Sequence, residues 1–111
     1  MEFDEYQKKT KETAIYPQDN PILALSYATL GLAGEAGEIA NKVKKIIRDN
    51  KGELSQEIKD NLSDELGDVL WYLSALATEL DTNLSSIADK NIQKLFSRKE
   101  RGVLKGSGDN R

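Results

Sequence analysis

Two short acidic motifs carry the chemistry that this sequence could perform. They read Glu35-x-x-Glu38 and Glu65-x-x-Asp68, and a spacing of three places both carboxylates of a motif on one face of an α-helix. Suppose that the two helices fold back on each other around Lys51-Gly52. Glu35 then lies at the height of Asp68, and Glu38 lies at the height of Glu65. Four carboxylates this close repel one another unless a cation binds or some of them are protonated, and an all-oxygen cluster favours Mg²⁺, with Mn²⁺ as the alternative.

The amino-acid composition excludes several kinds of catalytic and metal-binding site. The 111 residues include no Cys and no His, which excludes disulfides, thiolate zinc sites, cysteine nucleophiles and imidazole bases. The net charge is −3 and there is no basic run, so neither nucleic acid nor an acidic membrane is predicted as a partner. No apolar stretch is long enough for a signal peptide or a membrane span, and we therefore expect a cytoplasmic protein.

Apolar residues recur at helical spacing in four segments, and no segment alternates as a strand would. Asn20-Pro21 and Asn83 are typical helix starts, and Gly102 suits a helix end. We predict an all-α, four-helix, bundle-like single domain over residues 1–102, followed by a flexible tail over residues 103–111. The second and third helices form the central antiparallel pair, and a unit this small often gains stability by forming oligomers. The predicted helices cover residues 3–13, 21–48, 55–80 and 84–101.

Several residues near the acidic motifs have two interpretations each. Glycine inside a helix costs about 1 kcal/mol relative to alanine, so Gly31 and Gly34 indicate either space for a ligand or close helix packing. Trp71 is either a wall for a nucleobase or a subunit contact. Tyr72 either contacts the sugar or base of a substrate or lies buried in the core.

A stripe of polar residues on the fourth helix also has two interpretations. Asn91, Lys94 and Arg98 share one face, which is either an exposed basic surface or the counterpart of the acidic cluster. A metal on one side and cations on the other would hold a polyphosphate.

Three stretches of the sequence stand out together: Gly34-Glu35-Ala36-Gly37-Glu38, Glu65-Leu66-Gly67-Asp68-Val69-Leu70-Trp71-Tyr72 and Asn91-x-x-Lys94-Leu95-x-x-Arg98. Together they resemble the MazG-type nucleoside triphosphate pyrophosphohydrolases of the all-α pyrophosphatase superfamily. The resemblance covers about residues 27–98. It implies a Mg²⁺-dependent enzyme that cleaves (d)NTPs between the α- and β-phosphates, yielding a monophosphate and pyrophosphate. It also implies metal ligation by residues matching Glu35, Glu38, Glu65 and Asp68, nucleotide contacts from residues matching Asn91, Lys94 and Arg98, and assembly as a homodimer or homotetramer.

The mechanism that we infer is metal-assisted hydrolysis, with Glu38 as the catalytic residue that accepts a proton from the attacking water. Two alternatives stay open at this point. One is a phosphoribosyl-ATP pyrophosphohydrolase-like enzyme with the same metal chemistry. The other is a non-catalytic helical interaction module whose acids bind a structural cation or a basic partner.

Overall fold

The computed structural model describes residues 1–111 and contains four α-helices and no strand. The prediction of an all-α single domain is confirmed, and each predicted helix boundary lies within one turn of the observed one. A turn of 3₁₀-helix over Lys11–Thr13 continues the first helix. The helices are α1 (Phe3–Thr10), α2 (Pro21–Asp49), α3 (Gln56–Glu79) and α4 (Leu84–Glu100).

The predicted start signals of α2 and α4 are confirmed. The Asn20 side chain accepts a hydrogen bond from the backbone N–H of Ile22 at 3.0 Å, and Pro21 occupies the first helical position. The Asn83 side chain likewise accepts from the N–H of Ser86 at 2.9 Å. Both caps satisfy backbone donors that have no partner within the helix.

The turn between α2 and α3 lies where the sequence places it. Lys51 and Gly52 have φ angles of 54° and 77°, a left-handed conformation that glycine adopts at little cost. Because α3 runs back along α2 from this turn, Lys42 meets Glu65 near the turn and Gly31 meets Tyr72 farther from it. The two central helices are therefore antiparallel, close to the predicted register.

Helix α1 packs against α3 at the end of the α2–α3 hairpin that lies away from the turn. Thr10 Oγ1 and Ser74 Oγ share a buried hydrogen bond of 2.8 Å. Gln7 is also buried, donating from Nε2 to Thr78 Oγ1 at 3.1 Å and accepting at Oε1 from the N–H of Leu84 at 2.9 Å. The small polar residues of α3 thus face α1, and the start of α4 is tied to the same network.

The core of a single chain is small. Only 11 of 111 residues are buried, and the main cluster consists of Tyr16, Ala24, Ala28 and Ala75. The apolar residues at helical spacing on α2, α3 and α4 form a seam along each helix. Much of this seam remains accessible, because α1 and α4 cover only part of the α2–α3 hairpin. The exposed seam residues include Val43, Leu66, Leu73, Leu80 and Ile92.

The segment after α4 turns back toward that helix. Gly102 has a φ of 69°, and the N–H of Val103 donates to the carbonyl of Arg98 at 2.9 Å. The Arg111 side chain donates to the carbonyls of Val103 and Gly108 at 3.0 and 2.8 Å. The flexibility of this tail stays a prediction. None of the helices has the length and apolar character needed to cross a membrane.

Candidate active site

Three of the four predicted carboxylates come together between α2 and α3. Glu35 from α2 and Glu65 and Asp68 from α3 each place a carboxylate oxygen within 4.8 Å of the others. Helical spacing puts Glu65 and Asp68 on one face, and the antiparallel register brings Glu35 opposite them. Carboxylate oxygens are the ligands that hard divalent cations such as Mg²⁺ take. We call these three residues the acidic cluster.

The electrostatics of the acidic cluster centre on Glu35. The pKa of Glu35 is raised, first because burial disfavours its charged form and then because the charges of Asp68, Glu65 and Glu38 add to the effect. The close approach of the Glu65 carboxylate acts in the same direction. The metal-free cluster is therefore repulsive, and a divalent cation would relieve that repulsion.

Glu38, the predicted fourth ligand, lies beside the acidic cluster. Its side chain is exposed and is not among the three whose oxygens converge, but its charge contributes to the raised pKa of both Glu35 and Lys42. Lys42 lies one turn farther along α2 and forms an ion pair with Glu65, Nζ to Oε1, at 2.8 Å. That hydrogen bond is the main cause of the raised pKa of Lys42.

A cavity of about 360 Å³ opens directly beside the acidic cluster. Its volume falls in the range of about 300–1,000 Å³ that is typical for small-molecule sites. Glu35 and Asp68 of the acidic cluster line this cavity, so a ligand in the cavity would touch their carboxylates. We call this space the aromatic cavity. Its lining residues are Thr13, Ile15, Tyr16, Tyr27, Glu35, Asp68, Trp71 and Tyr72.

The four aromatic rings that line this cavity pack against one another. Tyr16 stacks on Tyr27 with ring centroids 5.0 Å apart, and Trp71 meets Tyr72 edge to face at the same distance. The indole Nε1 of Trp71 donates to Thr13 Oγ1 at 2.8 Å. The pKa of Tyr72 is raised, chiefly by burial, with smaller contributions from Tyr27 and Glu35. Tyr16 is buried behind Tyr27, whereas Tyr27, Trp71 and Tyr72 keep part of their surface accessible, and such rings can stack against a flat aromatic ligand.

Sequence reasoning found two of these aromatic residues and missed two. Trp71 and Tyr72 both line the cavity beside the carboxylates. Tyr27 was missed, although it precedes Gly31 and Glu35 at steps of four on α2 and thus shares their face. Tyr16 stands in the loop between α1 and α2, where no periodicity indicates which way a side chain points.

The stripe on α4 is not brought to this cavity. Asn91 and Lys94 are exposed, whereas Arg98 is only 7% exposed and donates from Nη2 to the carbonyl of Asp109 at 3.0 Å. None of the three lines the aromatic cavity. The structure thus separates the predicted site residues into a group on α2 and α3 that converges and a group on α4 that lies apart.

The sequence of this region matches a known protein family. The model of the MazG nucleotide pyrophosphohydrolase domain matches residues 25–103. The chain belongs to the MazG family. The matched region includes both acidic motifs and the α4 stripe, and it begins two residues before Tyr27.

A relative of this MazG protein is found in a bacteriophage. The "Gene 37 protein" of Mycobacterium phage L5 is 56% identical over the full length of both chains. Its name states no activity, so it supports the relationship and not a substrate. No solved structure matches the chain significantly.

Proposed function

We propose that this MazG protein is a Mg²⁺-dependent nucleoside triphosphate pyrophosphohydrolase that cleaves (d)NTPs between the α- and β-phosphates, releasing a (d)NMP and pyrophosphate. The observation that carries the proposal is the acidic cluster opening into an aromatic cavity. Carboxylates suit a metal that binds phosphates, and aromatic faces suit a nucleobase. The family relationship supports the same reaction class, and a nucleotide substrate agrees with the cytoplasmic location that we also propose.

The metal-binding residues in this proposal are Glu35, Glu65 and Asp68, with Glu38 completing the set from the side. A bound Mg²⁺ (or Mn²⁺) would supply the Lewis acidity that polarises phosphoryl oxygens. Glu38 is exposed beside the cluster, and in this proposal one of its oxygens ligates the metal while the other accepts a proton from the water that attacks phosphorus.

Two aromatic residues serve as substrate-binding residues in the proposal. Trp71 and Tyr72 stand next to Glu35 and Asp68 in the cavity wall. A base stacked on them would therefore lie within reach of a phosphate held at the acidic cluster.

Asn91, Lys94 and Arg98 remain candidates for phosphate contact. Because none of them lines the aromatic cavity of its own chain, that role requires α4 to meet the site of another copy or to change position.

We further propose that the protein works as a homodimer or homotetramer. Its radius of gyration is 17.1 Å, whereas a compact chain of this length has about 13 Å. Large apolar side chains are exposed on all three long helices, among them Leu30 at 73%, Leu66 at 58% and Phe96 at 59%. Burying such a surface between copies is the usual outcome. Light scattering after gel filtration measures the mass, and a species of 12.4 kDa would contradict the proposal.

The decisive experiment compares wild type with Glu38→Gln on a panel of canonical and modified (d)NTPs with Mg²⁺. Loss of a general base lowers turnover by about 10²- to 10⁴-fold, while the circular dichroism spectrum should not change. Separating the products distinguishes monophosphate plus pyrophosphate from diphosphate plus phosphate. Glu53→Gln, an exposed residue of the turn, is the matched control.

Thermal stability in the same samples tests for a non-catalytic module. A nucleotide-binding enzyme is stabilised by Mg²⁺ together with a non-hydrolysable nucleotide, because the ligand binds the folded state alone. Full turnover by Glu38→Gln would remove Glu38 from the mechanism. Absence of both hydrolysis and a thermal shift in the wild type would refute the enzyme.

A further inference from the structure

A second cavity, of about 270 Å³, lies between α2 and α3 on the side of the acidic cluster that faces the turn. Its polar lining consists of Lys42, Lys45 and Asp49 on α2, Asn50 just after that helix, and Asn61 on α3. We call it the lysine cavity. Its remaining lining residues are aliphatic: Ile46, Ile58 and Leu62.

The charges in this cavity favour an anion. Lys42 and Lys45 bring two ammonium groups, and the side-chain amides of Asn50 and Asn61 can donate hydrogen bonds. Asp49 is the one acid in the lining.

The charge of that acid is already compensated from outside the cavity. Arg48 Nε and Nη2 donate to the two oxygens of Asp49 at 2.6 and 2.8 Å, and the pKa of Asp49 is lowered, mainly by Arg48. Lys42 is likewise paired with Glu65, so Lys45 supplies the positive charge of the lining that no such ion pair offsets.

The two cavities meet at the acidic cluster. Lys42 belongs to the lysine cavity, and its Nζ lies 2.8 Å from Glu65 Oε1. Glu35 and Asp68 belong to the aromatic cavity. The carboxylates thus stand between an aromatic space and a cationic space, and Lys42 is about 6 Å beyond Glu38 along the helix axis.

We propose that the lysine cavity binds the β- and γ-phosphates of the substrate and, after cleavage, the pyrophosphate. This inference rests on the proposed function for its substrate. The base lies in the aromatic cavity, the α-phosphate lies at the acidic cluster, and the phosphate chain continues toward the turn. Lys42 and Lys45 act as point charges for phosphate oxygens, and the Asn61 amide adds a donor from the opposite helix.

The test is a set of binding measurements on Lys45→Ala by titration calorimetry with Mg²⁺. The probes are an α,β-methylene nucleoside triphosphate, inorganic pyrophosphate and the nucleoside monophosphate. We expect about tenfold or greater weakening for the first two, because each loses a charged partner. We expect no change for the monophosphate, which has no phosphate beyond the acidic cluster. Lys44→Ala, exposed on the same helix and outside the cavity lining, is the control of equal charge change.

Lys42→Gln is the second variant and should weaken the same two ligands. Unchanged binding of triphosphate and pyrophosphate by Lys45→Ala would overturn the inference, as would equal weakening by Lys44→Ala, which indicates a general charge effect. Weakening by Lys94→Ala in place of Lys45→Ala would assign the phosphates to α4 and also overturn it.

These outcomes are separate from the fate of the proposed function. If the wild type hydrolyses (d)NTPs but Lys45→Ala binds pyrophosphate as the wild type does, the proposed enzyme is supported and the lysine cavity is not its phosphate site. If Lys45→Ala weakens pyrophosphate binding but the wild type hydrolyses no (d)NTP, the lysine cavity is an anion site and the proposed enzymatic function is wrong.

Discussion

Gly31 and Tyr72 face each other across the α2–α3 hairpin so closely that a methyl group on Gly31 would overlap the tyrosine ring. The ring therefore lies directly against the backbone of α2, one turn before Glu35. This contact positions the wall of the aromatic cavity relative to the acidic cluster. Of the two interpretations of Gly31, close packing is the observed one, and the residue that packs there is also a candidate for substrate contact.

Gly31→Ala should lower both stability and activity. A helical alanine gains up to about 1 kcal/mol over glycine, but overpacking costs about 1–3 kcal/mol. We expect a net loss of about 1 kcal/mol in the free energy of unfolding and a raised KM, because the Tyr72 ring must shift. Urea unfolding and steady-state kinetics measure the two effects.

A double-mutant cycle isolates the cause. In a Tyr72→Leu background, Gly31→Ala should become neutral or stabilising, since the ring is gone. Gly67→Ala, at a helical glycine with no atom within 4 Å of the added carbon, should be stabilising. If Gly31→Ala is as stable as Gly67→Ala, the Tyr72 ring moves aside without a loss in the free energy of unfolding.

Removing one carboxylate should stabilise the metal-free protein and abolish its response to metal. Glu35→Gln relieves the repulsion from Asp68 and Glu65 that contributes to its raised pKa. The melting temperature without metal should rise by a few degrees, and the increase that Mg²⁺ gives to the wild type should shrink or vanish. Thermal melts with EDTA and with Mg²⁺ measure both, and Glu53→Gln again serves as control. An unchanged Mg²⁺ response would place the ion elsewhere.

The convergence of three acidic side chains could be predicted from the sequence, whereas much of what surrounds them could not. Glu35, Glu65 and Asp68 could be placed together because each sits on a strongly periodic helix and the turn at Lys51-Gly52 sets the register. Tyr16 could not, because its position depends on how a loop packs after α1 docks on α3.

The polar stripe on α4 shows a second limit of prediction from helical periodicity. Helical spacing puts Asn91, Lys94 and Arg98 on one face but says nothing of what that face meets. The burial of Arg98 against the carbonyl of Asp109 depends on a contact with the chain beyond the helix. The periodicity of α4 does not contain that information.

Trp71 provides an optical test of the aromatic cavity. It is the only tryptophan in the chain, so intrinsic fluorescence excited at the indole band reports on this one wall residue. A base stacked in the cavity should change the emission intensity when Mg²⁺ and a non-hydrolysable (d)NTP are added. Pyrophosphate with Mg²⁺ should have little effect, because it leaves the aromatic cavity empty. Equal responses to both ligands would contradict a base site at Trp71.

Substitution of the two α4 cations should separate a structural residue from a surface one. Arg98→Ala removes a buried side chain and its hydrogen bond to Asp109, which should cost about 1–3 kcal/mol and lower the melting temperature by several degrees. Lys94→Ala changes an exposed residue and should alter stability by less than about 0.5 kcal/mol. Thermal melts and kinetics of both variants measure the difference. If Arg98→Ala keeps its stability but loses turnover, Arg98 exchanges the carbonyl of Asp109 for substrate phosphate, as the resemblance to the family implies.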